Sequence, residues 1–550
     1  GTDSSGEGNN YTANNLANAD VLLDTPTNNF PTINSLTPYN TTISNLSQGN
    51  LHVKAVTYDS GYYGNHIATF KVPESGKWYI ETRMAVQSGT GNTSWIGVMP
   101  QTLAIIPKDG TGATDGEYLT NSAFTGMVAD LISGVDTIRL FDGGSAQATV
   151  SSATATSYII ALALDVDNNK VYGGYDSGSG ITWLASGDPA AGSNGQSHTF
   201  TSETIIQLQV GPNSGSNSNS KQTLNFGQNG TFCGQETAGG NTDGAGIGNF
   251  FYSPPSGFKA LCSKNLPSVT IKLSTDHFNP VLYTGNDTTN NITGVGFQPD
   301  LVWLKNRSQA ADHMLHDAVR GADNGIRSNE NVAESDQSAN FTGFASDGFS
   351  LASSSNRYND NSENYVSWNW KANGSGSANT DGTINTTSTS VNTTAGFSIG
   401  TYTGEGGLKT VGHGLGVVPA MIMVKCRSDA IDWCVYFGDS TDSLTLNDAA
   451  ARDDNDNRWN DTAPTSSVFT VYSSNEVNDS GKTYVYYAFA EIQGFSKFGQ
   501  YTGNASTNGP MVNLGFRPAF VMIKRLDAAG MGWGMFDNKR SPSNEVDELL

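Results

Sequence analysis

Tyr283-Thr-Gly-Asn, followed by Gly296-Phe-Gln-Pro-Asp-Leu-Val-Trp-Leu-Lys305, is a pattern this chain writes three times. The second copy is Tyr402-Thr-Gly-Glu with Gly416-Val-Val-Pro-Ala-Met-Ile-Met-Val-Lys425. The third is Tyr501-Thr-Gly-Asn with Gly515-Phe-Arg-Pro-Ala-Phe-Val-Met-Ile-Lys524. The tyrosines stand about 100 residues apart, too long a period for a solenoid and suited to tandem domains that each bury a core. In every copy the proline precedes an apolar strand, at a position where no ladder N–H is lost.

Each copy then offers a further strand: Asp312-His-Met-Leu-His-Asp317, Asp432-Trp-Cys-Val-Tyr-Phe437 and Gly532-Trp-Gly-Met-Phe-Asp537. A closing hairpin follows in two of them. It joins Gly348–Ala352 to Asn364–Trp370 in the first, and Val468–Tyr472 to Thr483–Phe489 in the second. The expected boundaries are module 1 over 268–372, module 2 over 396–493 and an incomplete module 3 over 494–550. Tyr283 should match Tyr402, Pro299 should match Pro419, and Trp370 should match Phe489. Residues 373–395, rich in Gly, Ser, Thr and Asn, read as a linker or extended surface loop. The third copy reaches Leu550 before a closing hairpin, so the natural chain is expected to continue.

Upstream, residues 1–20 read as an irregular lead-in. From 21 to 267, apolar-alternating runs such as Lys77-Trp-Tyr-Ile-Glu-Thr-Arg-Met84 and Thr204-Ile-Ile-Gln-Leu-Gln-Val210 are separated by Gly, Asn and Ser clusters. Period-two alternation with polar turns and little 3.6-residue periodicity predicts an all-β sandwich or jelly roll followed by small β modules. Trp78, Ile80, Trp95, Leu162, Leu164 and Phe226 are its expected core.

Lys+Arg number 29 against Asp+Glu 51, for a net charge of −22. That balance argues against a nucleic-acid partner and against docking on an anionic membrane. No apolar run of 18 residues exists for a membrane span. Only 15% of residues are charged, so Ser, Thr, Asn and Gly must cover much of the surface. The four cysteines are too sparse for a disulfide scaffold. Cys426 and Cys434 flank a turn and have the spacing of a cross-hairpin pair; buried free thiols are the default reading.

The N-terminal runs resemble a SPRY-type, concanavalin-like sandwich. The resemblance rests on Gly76-Lys-Trp-Tyr-Ile-Glu81, Trp95-Ile-Gly-Val98, Ala163-Leu-Asp-Val-Asp-Asn-Asn-Lys-Val171 and Leu224-Asn-Phe-Gly227. Asp24-Thr-Pro-Thr-Asn-Asn-Phe30 and Pro254-Pro-Ser-Gly-Phe-Lys-Ala-Leu-Cys262, with the tandem copies after them, resemble marine bacteriophage virion proteins of the tail-fibre type. That resemblance implies a structural or adhesive protein in the virion, with host receptor or glycan, other virion proteins and its own copies as partners. It also implies a trimer, since such fibres are usually three-stranded. Edge strands of open sandwiches, which must be covered or paired, point independently to a homo-oligomer. The alternatives are a capsid-decorating protein, a polysaccharide depolymerase and a bacterial surface adhesin.

Chemical motifs are weak. Ser480-Gly-Lys-Thr483 imitates the end of a phosphate loop, but Glu476 stands where a glycine is needed and a strand follows, so a turn is preferred. Asp165, Asp167 and Asn169 alternate like calcium ligands, yet Lys170 occupies the obligatory glycine position, and a hairpin turn is preferred. Asp453, Asp454 and Asp456 form a second acidic loop, read as solvated before it is read as a weak calcium site. His313 and His316 should face opposite sides of one strand. Glu74, Glu81 and Asp165 are carboxylates with no cleft-like spacing, and a surface role is their default. Tyr62, Tyr63, Trp183 and Trp459 sit in Gly/Asn-rich surroundings where an aromatic face can stack on a sugar; core or rim packing is the competing reading. No catalytic residue and no cofactor is expected.

Overall fold

The computed structural model describes residues 22–540 except Pro26, 36–43, 56–63, 86–91, 101–121, 132–135, 153–156, Ser177, Ser202, 211–219, Ser353 and, near the third copy, 504, 506–509, 511 and 513. The lead-in 1–20 and the candidate aromatics Tyr62 and Tyr63 lie outside the described residues. Two compact units form. One is Gly1–Ser268 with Tyr501–Asn513; the other is Val269–Gln500 with Leu514–Leu550. Tyr501–Asn513, read in the sequence as part of the third copy, groups with the first unit.

The first unit is a two-sheet sandwich. Its nine-stranded sheet runs Ser44–Ser47, His52–Ala55, Lys221–Asn225, Lys77–Ala85, Ser157–Asp165, Lys170–Asp176 and Ile181–Trp183, with two short strands attached. Its six-stranded sheet runs Gly64–Lys71, Thr204–Val210, Asn92–Pro100, Thr125–Leu131, Asp136–Asp142 and Ser145–Ser152. Ser157–Asp165 is apolar almost throughout because it is central and covered on both faces. Trp78 lies opposite Leu164 and Ile80 opposite Leu162. Both pairs share one core with Leu224, Phe226, Ile206 and Leu208. Gly173 allows a close approach within this core, since a Cβ there would stand 2.2 Å from Met127 Sδ. Trp95 departs from expectation. It is buried, but in a separate cluster with Ile67, Met99, Phe124, Val128, Phe141 and Ile205. Its neighbours Ile96 and Val98 point into the main core, so alternation sends Trp95 to the other face of its sheet.

In the second unit, copies 1 and 2 have the same main sheet. Copy 1 runs from the opening strand Phe278–Thr284 to the closing strand Asn364–Trp370, the central strand Leu301–Asn306, the third strand Met314–Asp317 and the fourth strand Asn324–Arg327. Copy 2 repeats this order with Phe397–Thr403, Thr483–Phe489, Met421–Cys426, Cys434–Phe437 and Asp442–Thr445. Leu301 pairs with Trp370 and Met421 with Phe489, which makes Trp370 and Phe489 equivalent. Copy 3 contributes Phe520–Ile523 paired with Gly534–Asp537, the central and third strands of the same plan.

The recurrent Tyr-Thr-Gly has a physical reason. Tyr283 stacks on Tyr365 at 5.0 Å and donates to Tyr358 O at 2.7 Å. Tyr402 does the same on Tyr484 at 5.1 Å and donates to Val477 O at 2.6 Å. The glycine two residues on passes against backbone: a Cβ on Gly285 would lie 2.1 Å from Asp360 O, and one on Gly404 would lie 2.3 Å from Asp479 O.

Residues 373–395 are not a linker. Ser388–Asn392 pairs with residues 397–401 of the opening strand Phe397–Thr403 as an added edge strand, Ser377 bridges Thr389, and Ile384 is buried in the second copy's core. Strand pairing needs only backbone groups, so a Ser/Thr-rich segment can supply it without an apolar signature.

Candidate functional site

The residues singled out in the sequence do not converge. Asp165 is fully buried; it takes Lys77 Nζ at 2.8 Å and Asn168 Nδ2 at 3.0 Å. Asp167 accepts Gly76 N at 2.7 Å, and Asn169 turns the chain at φ 53°. This is a capped hairpin turn whose oxygens are already used. Asp453 pairs with Arg458 at 2.7 Å, and Asp456 begins a one-turn helix capped by Asn455. Asp454 is exposed opposite Asp442. Among the described residues no group of three His, Cys, Asp or Glu side chains has the geometry to hold a metal.

Trp459 is buried edge-on to Tyr436 in the second copy's core, with no face free for a ligand, which corrects its reading as a stacking aromatic. Trp183 is half-buried and packs on the sandwich core beside Gly174. The cysteines are free thiols, with Cys426 and Cys434 buried on neighbouring strands. His313 stacks on Trp368 and His316 on Phe341, on opposite faces as period two requires.

Glu81 is no surface carboxylate. It is fully buried and receives four donors: Tyr79 Oη at 3.1 Å, Asn225 Nδ2 at 3.1 Å, Phe251 N at 2.8 Å and Tyr252 N at 2.7 Å. Burial pushes its carboxyl up to about 7 against the pull of those donors. The group ties the 249–252 loop to the sheet and has no access to a substrate.

The densest polar chemistry lies where the three copies meet. Leu301, Trp303, Leu315 and Trp368 of copy 1, Met421, Met423, Val435 and Tyr487 of copy 2, and Met535 of copy 3 share one apolar core. Phe520 and Met522 of copy 3 pack against it. In copy 1, Asp317 Oδ1 accepts the backbone N–H of Val319 and Arg320, and Oδ2 takes Arg320 Nε at 2.5 Å. Arg320 also donates to Leu315 O at 3.0 Å. Copy 3 repeats the knot with Asp537, Lys539, Arg540 and Met535 O. Each knot receives a donor from the closing strand of another copy: Tyr487 Oη to Asp317 Oδ2 at 2.7 Å, and Trp368 Nε1 to Asp537 Oδ2 at 3.0 Å. Burial disfavours the Arg320 charge, but the Asp317 carboxylate beside it holds the guanidinium above its ordinary range.

Further ties repeat around the junctions. Trp433 Nε1 donates to Arg327 O at 2.8 Å, and Trp533 Nε1 to Thr445 O at 2.9 Å. Lys425 Nζ reaches Asn331 O at 3.3 Å and Lys524 Nζ reaches Asp448 O at 3.4 Å. The recurrent lysine therefore binds carbonyls of the preceding copy. Burial pushes Lys425 down to about 8. Arg427 clasps Glu334 with two bonds at 2.8 and 3.0 Å. The sequence carries a signal for the knots that spacing alone did not decode: Asp317-Ala-Val-Arg320 and Asp537-Asn-Lys-Arg540 occupy equivalent places.

The family described as Domain of unknown function (DUF7483) matches residues 273–550, just over half of the chain. The chain belongs to the DUF7483 family. The DUF7483 match begins within the second unit and takes in all three copies. Curated proteins provide no match. Similar solved structures include the TRIM65 PSpry domain, at 13% identity and TM-score 0.25 over 35% of this chain and 89% of that one. The SPRY domain of human HERC1 is similar at 16% identity and TM-score 0.22, over 35% and 96%. Peanut lectin with a nine-residue peptide is similar at 9% identity and TM-score 0.24, over 36% and 91%.

Proposed function

We propose that this DUF7483 protein is a non-enzymatic structural and adhesive component of a phage particle, a tail fibre or related appendage that meets the host surface. The observation that supports this reading most is the joining of three copies around one core in a single chain. Buried ionic groups that an enzyme would expose to substrate are instead consumed in holding the copies together, as Asp317, Arg320 and Glu334 are. Rigidity of that kind suits a scaffold that carries a recognition surface. The acidic, Ser/Thr/Asn-rich composition suits an extracellular particle. Self-association into a trimer and a glycan or protein receptor belong to the same proposal, and multivalent display would raise the avidity of a weak contact.

Immunogold labelling of purified particles with antibody to this chain tests the proposal. Label on the tail appendages is the expected result. Label spread over the capsid would favour a decorating protein instead. Particles free of label, with the protein retained on cells, would overturn the assignment.

A further inference from the structure

Positive charge gathers toward one edge of the first unit's nine-stranded sheet, on its outward face. Val53 and Ala55 of His52–Ala55 and Leu224 of Lys221–Asn225 point into the core. Alternation therefore turns His52, Lys54, Lys221 and Thr223 outward. Arg83 of Lys77–Ala85 shares that face, because its neighbour Met84 is in the core. Lys54 lies directly opposite Lys221, and Thr223 stands between His52 and Arg83, opposite both. Like charges directly opposite one another on adjoining strands are destabilising. Composition does not force the pairing, since the chain has 51 acidic residues against 29 basic ones.

The surroundings do not neutralise this cluster. Among the described residues neither Lys54 nor Lys221 has a carboxylate partner, and both are only half-buried. His52 Nδ1 meets Thr223 Oγ1 at 2.7 Å, and Gln235 Nε2 donates to the same hydroxyl at 2.7 Å. Those contacts hold the ring by one nitrogen and leave Nε2 for a ligand. Arg83 uses two of its five donors, on Glu236 at 2.7 Å and Gln235 at 3.1 Å. Burial holds the His52 ring below its ordinary range, and Lys221, Lys54 and Arg83 push it lower still. All three cations therefore lie within electrostatic reach of one imidazole. Exposed Asn45 and Ser47 extend the same face, opposite Lys54 and His52.

We propose that His52, Lys54, Lys221 and Arg83 form a binding site for a sulfate or phosphate ester carried on a host-surface saccharide. This names a ligand class for the receptor contact of the proposed function, and it rests on that reading. A tetrahedral oxyanion accepts hydrogen bonds on every side. The two ammonium groups meet it as point charges and the guanidinium as a planar fork. Its negative charge relieves the repulsion between Lys54 and Lys221, so the site favours an ionised ester over a neutral sugar. Asn45 and Ser47 offer an amide and a hydroxyl to the sugar's own hydroxyls. The acidic remainder of the chain does not cancel the cluster, because exposed charges are screened beyond about 8 Å at physiological ionic strength. A nucleic acid is the competing polyanion and fits less well. The cluster spans two cross-strand rows, and its only ring is the His52 imidazole, so it gives no platform on which successive bases could stack.

The test uses the whole chain and labelled dextrans of one length in fluorescence anisotropy, at about 0.15 M salt. Dextran sulfate or dextran phosphate should bind saturably and neutral dextran should not; the tighter of the two identifies the ester. Lys54→Gln combined with Lys221→Gln should weaken that binding by about tenfold or more. Lys259→Gln combined with Lys264→Gln removes the same charge at exposed positions outside the cluster and should change it by less than about twofold. Loss of a like-charge pair should leave the melting temperature at or above the parent's. If the double variant does not fold, Lys54→Gln and Lys221→Gln singly give the same readout. No binding of either ester, undiminished binding by the Lys54 and Lys221 variants, or equally tight binding of a single-stranded DNA oligonucleotide would overturn the proposal. Any of these results leaves the position on the particle, which the labelling experiment reads, unaffected.

Discussion

The hydroxyl of Tyr487 donates to Asp317 Oδ2 at 2.7 Å, across the junction between the second and first copies. Asp317 is also the partner of Arg320, and both side chains are fully buried. Removing one member of a buried pair leaves an uncompensated charge, at a cost of about 3–5 kcal/mol. Asp317→Ala should therefore destabilise the second unit by that order. Tyr487→Phe removes this bond to a charged acceptor, with the longer one that Arg320 Nη2 donates to the hydroxyl at 3.3 Å, and should cost about 1.5–3 kcal/mol. Urea unfolding followed by tryptophan fluorescence measures both.

The glycines of the recurrent Tyr-Thr-Gly should respond unequally to alanine. At Gly285 and Gly404 a Cβ meets backbone oxygen at 2.1 and 2.3 Å, whereas at Gly503 it meets nothing within 4 Å. Gly285→Ala and Gly404→Ala should each cost about 1–3 kcal/mol as overpacking against backbone that cannot yield. Gly503→Ala should stay within about 0.5 kcal/mol of the parent. Melting temperatures of the three variants decide this.

Acid should weaken the second unit through His316. Its Nδ1 donates to Ala322 O and its Nε2 takes the hydroxyl of Tyr358 at 2.9 Å. Burial, with Arg320 nearby, lowers it from 6.5 to about 3. The folded value is depressed, so the stability from keeping this ring neutral is present above 6.5 and is lost as pH falls toward 3. His316→Gln should lower stability at pH 8 and flatten the loss between pH 6.5 and the acid limit. Denaturant midpoints across that range test it.

Much of the plan was legible in the residues, and the losses have identifiable causes. Tyr283, Gly285, Pro299 and Lys305 mark a strand entry that the structure repeats at Tyr402, Gly404, Pro419 and Lys425, because stacking, backbone approach and strand entry are local demands. Trp95 shows the limit of alternation: period two says that faces alternate, not which face an added layer covers. Ser388–Asn392 reads as linker because its pairing uses backbone groups that composition does not reveal. Glu81 reads as a surface carboxylate, since its burial depends on Asn225, Phe251 and Tyr252, distant in the chain. Trp459 lies in a polar run, and only the third dimension shows its ring inside a core.

Closure of the three copies around one core is tested most directly by a double-mutant cycle on Trp368 and Asp537, the contact between the first and third copies at 3.0 Å. Trp368→Phe, Asp537→Asn and the double variant would be unfolded in urea beside the parent. A coupling of about 0.5–3 kcal/mol is predicted, as for residues bonded within one buried network. A coupling below about 0.3 kcal/mol, the additivity of distant sites, would contradict the closed arrangement.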